Sequence, residues 1–151
     1  MKILVDADAC PVKEIIVREA KARSLRVIMV CDTAHEIRDG YSETVTVDKG
    51  ADSADLKLIS LSEQGDIVVT QDYGVAAMAL GKGLKAVNQN GLIYTADNID
   101  RLLFERFLGK KVRRSGGRTK NMKKRSAEDD AAFERSLRQL LKMEEEHGSD
   151  Q

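Results

Sequence analysis

Lys2-Ile3-Leu4-Val5-Asp6-Ala7-Asp8-Ala9-Cys10-Pro11 opens the chain and decides how the rest is read. Ile3, Leu4 and Val5 form a short apolar run that stops at two aspartates, and a helical pattern begins directly after Pro11. A buried strand that ends in carboxylates and feeds straight into a helix puts negative charge at the carboxyl edge of a sheet. In open α/β folds ligands bind at that edge. The question for every later segment is what else it brings there.

Working outward, a helix is expected from about Pro11 to Ser24, with Val12, Ile15, Ile16 and Ala20 at helical spacing. Proline suits a first turn, where its missing N–H has no partner to lose. Leu25 to Cys31 reads as a buried strand, residues 32–42 as a polar loop, and Glu43 to Asp48 as a shorter edge strand. Lys49-Gly50 is a turn into a helix over Ala51 to Gln64, and Gly65-Asp66 leads into the strand Ile67 to Thr70. After Asp72 an alanine-rich helix runs to Leu80, and a fifth strand follows at Leu84 to Asn88. Thr95 caps a helix to about Leu108, with Ile99, Leu102, Leu103 and Phe107 as its apolar stripe and Phe104 also assigned to the core. A basic, glycine-containing segment over 109–125 leads to a last helix, about 126–146, capped by Ser126, with Phe133, Leu137, Leu140 and Leu141 facing the core. Strands alternating with helices predict right-handed βαβ units: an α/β fold with a three-layer open, mainly parallel sheet of about five strands, plus a C-terminal helix.

At 151 residues the chain is read as a single domain over 1–151, with its core in about 1–108. Its longest apolar run, Val75 to Leu80, is far too short to span a bilayer, and the N-terminus lacks the apolar region of a signal peptide. Two cysteines, Cys10 and Cys31, without a secretory signal point to free thiols in a reducing cytoplasm. No second Cys or paired His stands at zinc-ligand spacing, and His35 in its loop reads as a surface residue. The net charge of zero hides an ordering into blocks: residues 1–105 carry 17 acids and 12 bases, residues 106–125 ten bases and no acid, and the last 26 residues eight acids against three bases.

In a βαβ unit each helix starts at the edge where the preceding strand ends. Asp6 and Asp8 after the first strand, Asp52 and Asp55 in the first turn of the helix after the third, and Asp72 after the fourth therefore share one edge whatever the strand order. If the first and fourth strands are neighbours, Asp6 and Asp72 face each other across a switch point and Asp55 reaches them from above. Carboxylates so gathered repel one another, and a hard divalent cation relieves them. Mg²⁺ takes oxygen ligands at about 2.0–2.1 Å and keeps several waters on one or two carboxylates. Such an ion polarises a phosphoryl oxygen, and a second one about 3.5–4 Å away clamps a leaving oxygen, which is the chemistry of phosphodiester hydrolysis.

Local capping explains some of these acids equally well. Asp satisfies free N–H groups at helix starts, which accounts for Asp52 and suits Asp72, whereas Asp6 closes a strand and has no cap to make. A strand ending in D-x-D also fits a haloacid-dehalogenase-type phosphatase with Asp6 as nucleophile and Asp8 as acid/base, but Pro11 and its helix leave no room for the loop that family inserts there. Cys10 beside the acids is expected to have a raised pKa and to be a packing residue. Lys110, Lys111, Arg113, Arg114, Arg118, Lys120, Lys123, Lys124 and Arg125 suit the phosphates of a nucleic acid, held without reading bases, although a run of charge is also the ordinary composition of a solvated loop.

Five stretches carry a resemblance: V-D-A-D-A-C-P at Val5 to Pro11, G-A-D-S-A-D at Gly50 to Asp55, G-D-I-V-V-T-Q-D at Gly65 to Asp72, G-L-I-Y-T-A-D-N-I at Gly91 to Ile99, and T-K followed by E-D-D-x-x-F at Glu128 to Phe133. In order and spacing, nearly end to end, the chain resembles the YaiI/YqxD family of small uncharacterised bacterial proteins, and that family looks like a branch of the PIN-like nuclease superfamily. The resemblance implies strand order 3-2-1-4-5 and a Mg²⁺ or Mn²⁺ site, with Asp6, Asp55 and Asp72 as metal-binding acids and Asp8 accessory. Two readings of function follow: a metal-dependent nuclease acting on RNA, and a non-catalytic nucleic-acid-binding module whose acids are structural.

Overall fold

The computed structural model describes residues 1–32, 37–48, 53–114 and 124–149, with the side chains of 53, 110–114 and 144–149 left aside. Its centre is the opening stretch. Strand β1 (Lys2–Asp6) is buried from Lys2 to Val5 because parallel neighbours flank it on both sides. Ile3, Leu4 and Val5 pair with Val27, Ile28 and Met29 of β2 (Arg26–Asp32) and with Ile67, Val68 and Val69 of β4 (Ile67–Val69). Strand β3 (Glu43–Val47) lies beyond β2, mostly exposed, as an edge strand should be.

On the other side β4 pairs with β5 (Lys85–Val87). The order is β3-β2-β1-β4-β5-β6, so the expected 3-2-1-4-5 sheet is present and carries one strand more. That strand, β6 (Ile93–Tyr94), runs antiparallel to β5, so the sheet is mainly parallel, as the alternation of strands and helices predicts.

Strands buried on both faces read as continuous apolar runs because alternate residues enter different layers. Ile3, Val5, Met29 and Val69 face α1 (Lys13–Ala22) and α5 (Ala127–Ser149), which contribute Ile16, Ala20, Phe133, Leu137 and Leu141. Leu4, Ile28, Val30 and Val68 face α2 (Ser53–Leu61), α3 (Tyr73–Gly81) and α4 (Ala96–Arg114), which bring Leu58, Val75, Ala79, Ile99 and Leu102. Three layers result, as the alternation predicts. Among the described residues no helix is long and apolar enough to cross a membrane.

Caps fix two of the helices. Thr95 Oγ1 accepts from Asn98 N at 3.1 Å while Asn98 Oδ1 accepts from Thr95 N at 2.8 Å, a reciprocal cap at the start of α4. Ser126 and Asp129 make the same exchange ahead of α5.

Three boundaries differ from expectation. Pro11 stands in a turn ahead of α1 rather than in its first turn, and α2 ends at Leu61 rather than Gln64. Helix α4 passes Leu108 and continues to Arg114, so the basic segment begins as helix. Phe104 and Phe107, assigned to the core, are 60% and 61% exposed. The reason is length: α4 has 19 residues, α3 beneath it nine, and Ile99 and Leu102 have already used the apolar surface on offer.

Candidate metal and phosphate site

The two halves of the sheet diverge between β1 and β4, and the carboxyl ends of those strands define a crevice. Asp6 closes β1 there. The chain then turns sharply, with Cys10 N donating to Ala7 O at 3.2 Å and Ala9 held at φ +59°, a left-handed conformation that L-residues other than Gly, Asn and Asp seldom adopt. This turn carries Asp8 towards β2, where its Oδ2 accepts from Asp32 N at 3.1 Å.

Across the crevice, β4 ends in Thr70-Gln71-Asp72. The Thr70 hydroxyl donates to Asp6 Oδ2 at 3.1 Å and accepts from Asp72 N at 3.0 Å, so one buried threonine ties the two strand ends together. Asp72 is the cap of α3: its Oδ1 accepts from Gly74 N at 2.7 Å and Val75 N at 3.2 Å. Gly74 makes this close fold-back possible, since a Cβ at that position would lie 3.1 Å from the same oxygen. Asp55 stands in the first turn of α2.

Asp6 feels the charge of the other rim acids. Burial, the largest cause, pushes the Asp6 carboxyl up to about 6; the hydrogen bond from Thr70 works against it, and the charges of Asp55, Asp72 and Asp8 add to it. The three other acids predicted for the site therefore all act on Asp6. A cavity of about 30 Å³ lies at this point, lined by Asp6, Asp8, Cys10, Val69, Thr70, Gln71 and Gln89. Its size suits an ion and a water rather than a nucleotide.

Cys10 belongs to this wall, and burial first, then the Asp6 charge, raises its thiol pKa, while Lys13 and Arg125 lower it. It is a weak nucleophile there. Cys31 is fully buried in β2.

As a donor set, Asp6, Asp8, Asp55 and Asp72 offer only hard oxygen, which fits Mg²⁺ or Mn²⁺. They are not gathered into a finished cage: among the described residues no three acid, Cys or His side chains stand together as a ready ligand group. Asp8 and Asp72 also have a structural use, as their hydrogen bonds demonstrate.

Arg106 opens the basic run 106–125 that the sequence marks as a functional candidate, without standing among the individual residues assigned to phosphate. It reaches from α4 to within 4.0 Å of Asp72 Oδ1. Its signal was only its place at the head of the acid-free run. Thr70, Gln71 and Gln89 were missed, being isolated polar residues at strand ends.

Of the predicted phosphate-binding residues, Lys124 is exposed and edges a cavity of about 550 Å³ together with Gln89, Asn90, Arg125 and Ser126, but Glu128 and Asp129 line it too and offset its positive charge. Arg125 is turned inward, donating to Asp130, Asn90 and the Gln89 carbonyl at 2.8 Å each. The backbone of Lys110, Lys111, Arg113 and Arg114 lies on the end of α4. Their side chains, and all of Arg118, Lys120 and Lys123, lie outside the described residues, as do His35 and Asp52.

With this geometry in hand, comparison with known proteins finds a family model described as "Uncharacterized BCR, YaiI/YqxD family" matching residues 4–143. A UPF0178 protein of Ruminiclostridium cellulolyticum is 64% identical over 146 residues, covering 97% of this chain and 95% of its own. Another from Alkaliphilus oremlandii is 54% identical over 137 residues, 91% and 88% of the two chains. Among solved structures, Rae1 (YacP) from Bacillus subtilis (W164L mutant) aligns with 20% identity and a TM-score of 0.43 over 77% of this chain and 84% of its own.

Proposed function

We propose, starting from the fact that the chain belongs to the YaiI/YqxD family, that it is a divalent-metal-dependent phosphodiesterase acting on RNA. The observation that carries this reading is the Asp6 carboxyl. It closes the central strand at the switch point and is pushed up to about 6 by burial and by the charges of three acids arriving from other parts of the rim. A carboxylate under that pressure is relieved by a proton or by a cation, and strongly perturbed acids in a cleft mark functional sites. The implied PIN-like pattern names the same acids.

In this reading Asp6 and Asp72 hold the ion from opposite strand ends, Asp55 adds charge from above, and Asp8, fixed by the Asp32 amide, orients water. The ion, when bound, polarises the phosphoryl oxygen and lowers the pKa of a bound water. Thr70 keeps Asp6 in one rotamer by its hydrogen bond and thereby fixes the attacking geometry. Arg106 and Lys124 meet the substrate backbone from two sides, with the basic end of α4 extending the contact.

The second reading, a nucleic-acid-binding module with structural acids, draws on the capping bonds of Asp72 and the Asp8–Asp32 contact. The two separate on cleavage of single-stranded and hairpin RNA in Mn²⁺, comparing the wild type with Asp6→Asn and Asp72→Asn. The enzyme reading expects a loss of at least a hundredfold in rate for Asp6→Asn. Cleavage at wild-type rate by both variants, or none by any protein, leaves the binding module.

A further inference from the structure

Helix α4 carries an apolar face that nothing in the fold covers. Phe104 and Phe107 are 60% and 61% exposed, and Leu108 is 42% exposed. At positions i, i+3 and i+4 the three are neighbours on one row of the helix. At roughly 100° per residue, this row lies opposite Ile99 and Leu102, which pack into the core, and opposite Arg106, which turns to Asp72. The stripe therefore faces away from the acidic rim and takes no part in it.

Two phenylalanines and a leucine so exposed present roughly 300 Å² of apolar surface in one place. Patches of that size mark interaction sites on soluble chains. What fits this one follows from the charges of the same helix. Its first half, Ala96 to Glu105, carries Asp97, Asp100 and Glu105 against Arg101 alone. Its second half, Arg106 to Arg114, carries five bases and no acid. Asp97 and Asp100 are exposed, so a nucleic acid laid along the stripe would meet like charge over half its length. A parallel copy of α4 would set acid against acid and base against base.

An antiparallel copy does the reverse. With the twofold axis midway between Phe104 and Phe107, each Phe104 lies at the level of the other copy's Phe107. Asp100 then falls at the level of Lys111 and Asp97 at that of Arg114. The helix dipoles oppose as well. We propose that this chain pairs with a second copy of itself through antiparallel α4 helices, with Phe104, Phe107 and Leu108 at the centre of the contact. Such an interface is isologous, one patch serving both copies. Its apolar centre is smaller than that of an obligate dimer, so association is weak, with a dissociation constant on the order of micromolar.

Sedimentation velocity of the full chain, freed of nucleic acid and followed over about two decades of concentration around 10 µM, tests this. The wild type is expected to pass from the monomer mass of 16.7 kDa to twice that mass. Phe104→Ser with Phe107→Ser is expected to stay monomeric throughout, and to melt like the dilute wild type because both side chains are exposed in a single copy. Asp97→Lys with Asp100→Lys keeps the stripe and is expected to weaken the dimer at least tenfold. Adding Lys111→Asp and Arg114→Asp to that same chain exchanges the two charge blocks and is expected to restore it, a recovery that a folding defect would not give. A wild type that is monomeric at every concentration overturns the inference, whatever else covers the stripe. A dimer that survives the serine changes overturns it too, since the contact then lies elsewhere. A dimer indifferent to the lysine changes, or not recovered by the full exchange, removes the antiparallel pairing. None of these outcomes bears on the nuclease reading, which rests on the other side of the helix.

Discussion

Asp6 has a free-energy signature that can be measured without any substrate. Its carboxyl titrates at about 6 in the folded chain, against 3.8 for an ordinary aspartate. Below pH 4 both states hold the proton and folding is indifferent to it. Between pH 4 and 6 the unfolded chain releases the proton while the native one keeps it, so stability falls as pH rises through this window and stays lowered above it. Asp6→Asn removes that penalty and keeps an acceptor for Thr70. In EDTA the variant is expected to be more stable than wild type above pH 6, by on the order of 2 kcal/mol once solvent screening is allowed for, and equal to it near pH 4. Urea denaturation across pH 4 to 8 checks this, and a variant destabilised at every pH would show that ionised Asp6 is held by its hydrogen bonds rather than strained by its neighbours. Ala9, next to the Asp8 carboxylate that accepts from the Asp32 amide, holds a left-handed conformation, so Ala9→Gly is expected to raise the melting midpoint slightly, a gain in stability of up to about 1 kcal/mol. A fall in midpoint would mean that the Ala9 methyl packs against the turn.

The elements show where sequence patterns stop being informative. The acids of the rim were legible because a βα junction places whatever follows a strand at one edge, and Asp6, Asp55 and Asp72 each follow that rule. Strand β6 was not legible: two residues cannot display alternation, and Gly91 and Thr95 on either side read as punctuation. The length of α4 was misread because Gly109 looked like a stop, yet nothing approaches it and helix formers follow. Phe107 shows the limit of periodicity, which locates a face but not where the partner surface ends. Gly91 is the element-scale test. It sits at φ +89°, and a Cβ there would lie 2.5 Å from Ala132 O of α5, backbone that cannot yield without moving the helix. Ser136 Oγ also donates to the Gly91 carbonyl. Gly91→Ala is therefore expected to cost about 3 kcal/mol or more, by loosening α5 from the β5–β6 loop. Denaturant unfolding measures it, and a loss below about 1 kcal/mol would mean that α5 is not rigidly seated.

At the scale of the whole molecule the strand order matters more than any single side chain, because it places β1 beside β4 and so sets Asp6 opposite Asp72. Residues alone left that adjacency conditional, and only the resemblance implied it. Thr70 and Gln89 were unreadable, and Arg106 was readable only as the head of a basic run, for a related reason: each gains its meaning from a chain segment far away in sequence. Arg106 gives the sharpest test of how charge is arranged across the fold. It stands 4.0 Å from Asp72 Oδ1, and the eight residues from there to Arg114 carry α4 roughly 12 Å further at the helical rise. A cation so placed opposes a metal ion at the rim and attracts a phosphate. Arg106→Ala is accordingly expected to tighten Mn²⁺ binding several-fold, read by thermal shift, while weakening single-stranded RNA binding by a similar factor at low salt. The two changes must have opposite signs, since one charge acts on ligands of opposite charge. Protons compete for the same carboxylates, so the Mn²⁺ shift of the wild type is expected to be larger at pH 7.5 than at pH 5, the Asp6 carboxyl being mostly neutral at the lower value. A Mn²⁺ shift that ignores both Arg106 and pH would locate the ion elsewhere on the molecule and dissolve the case for a nuclease centred on β1 and β4.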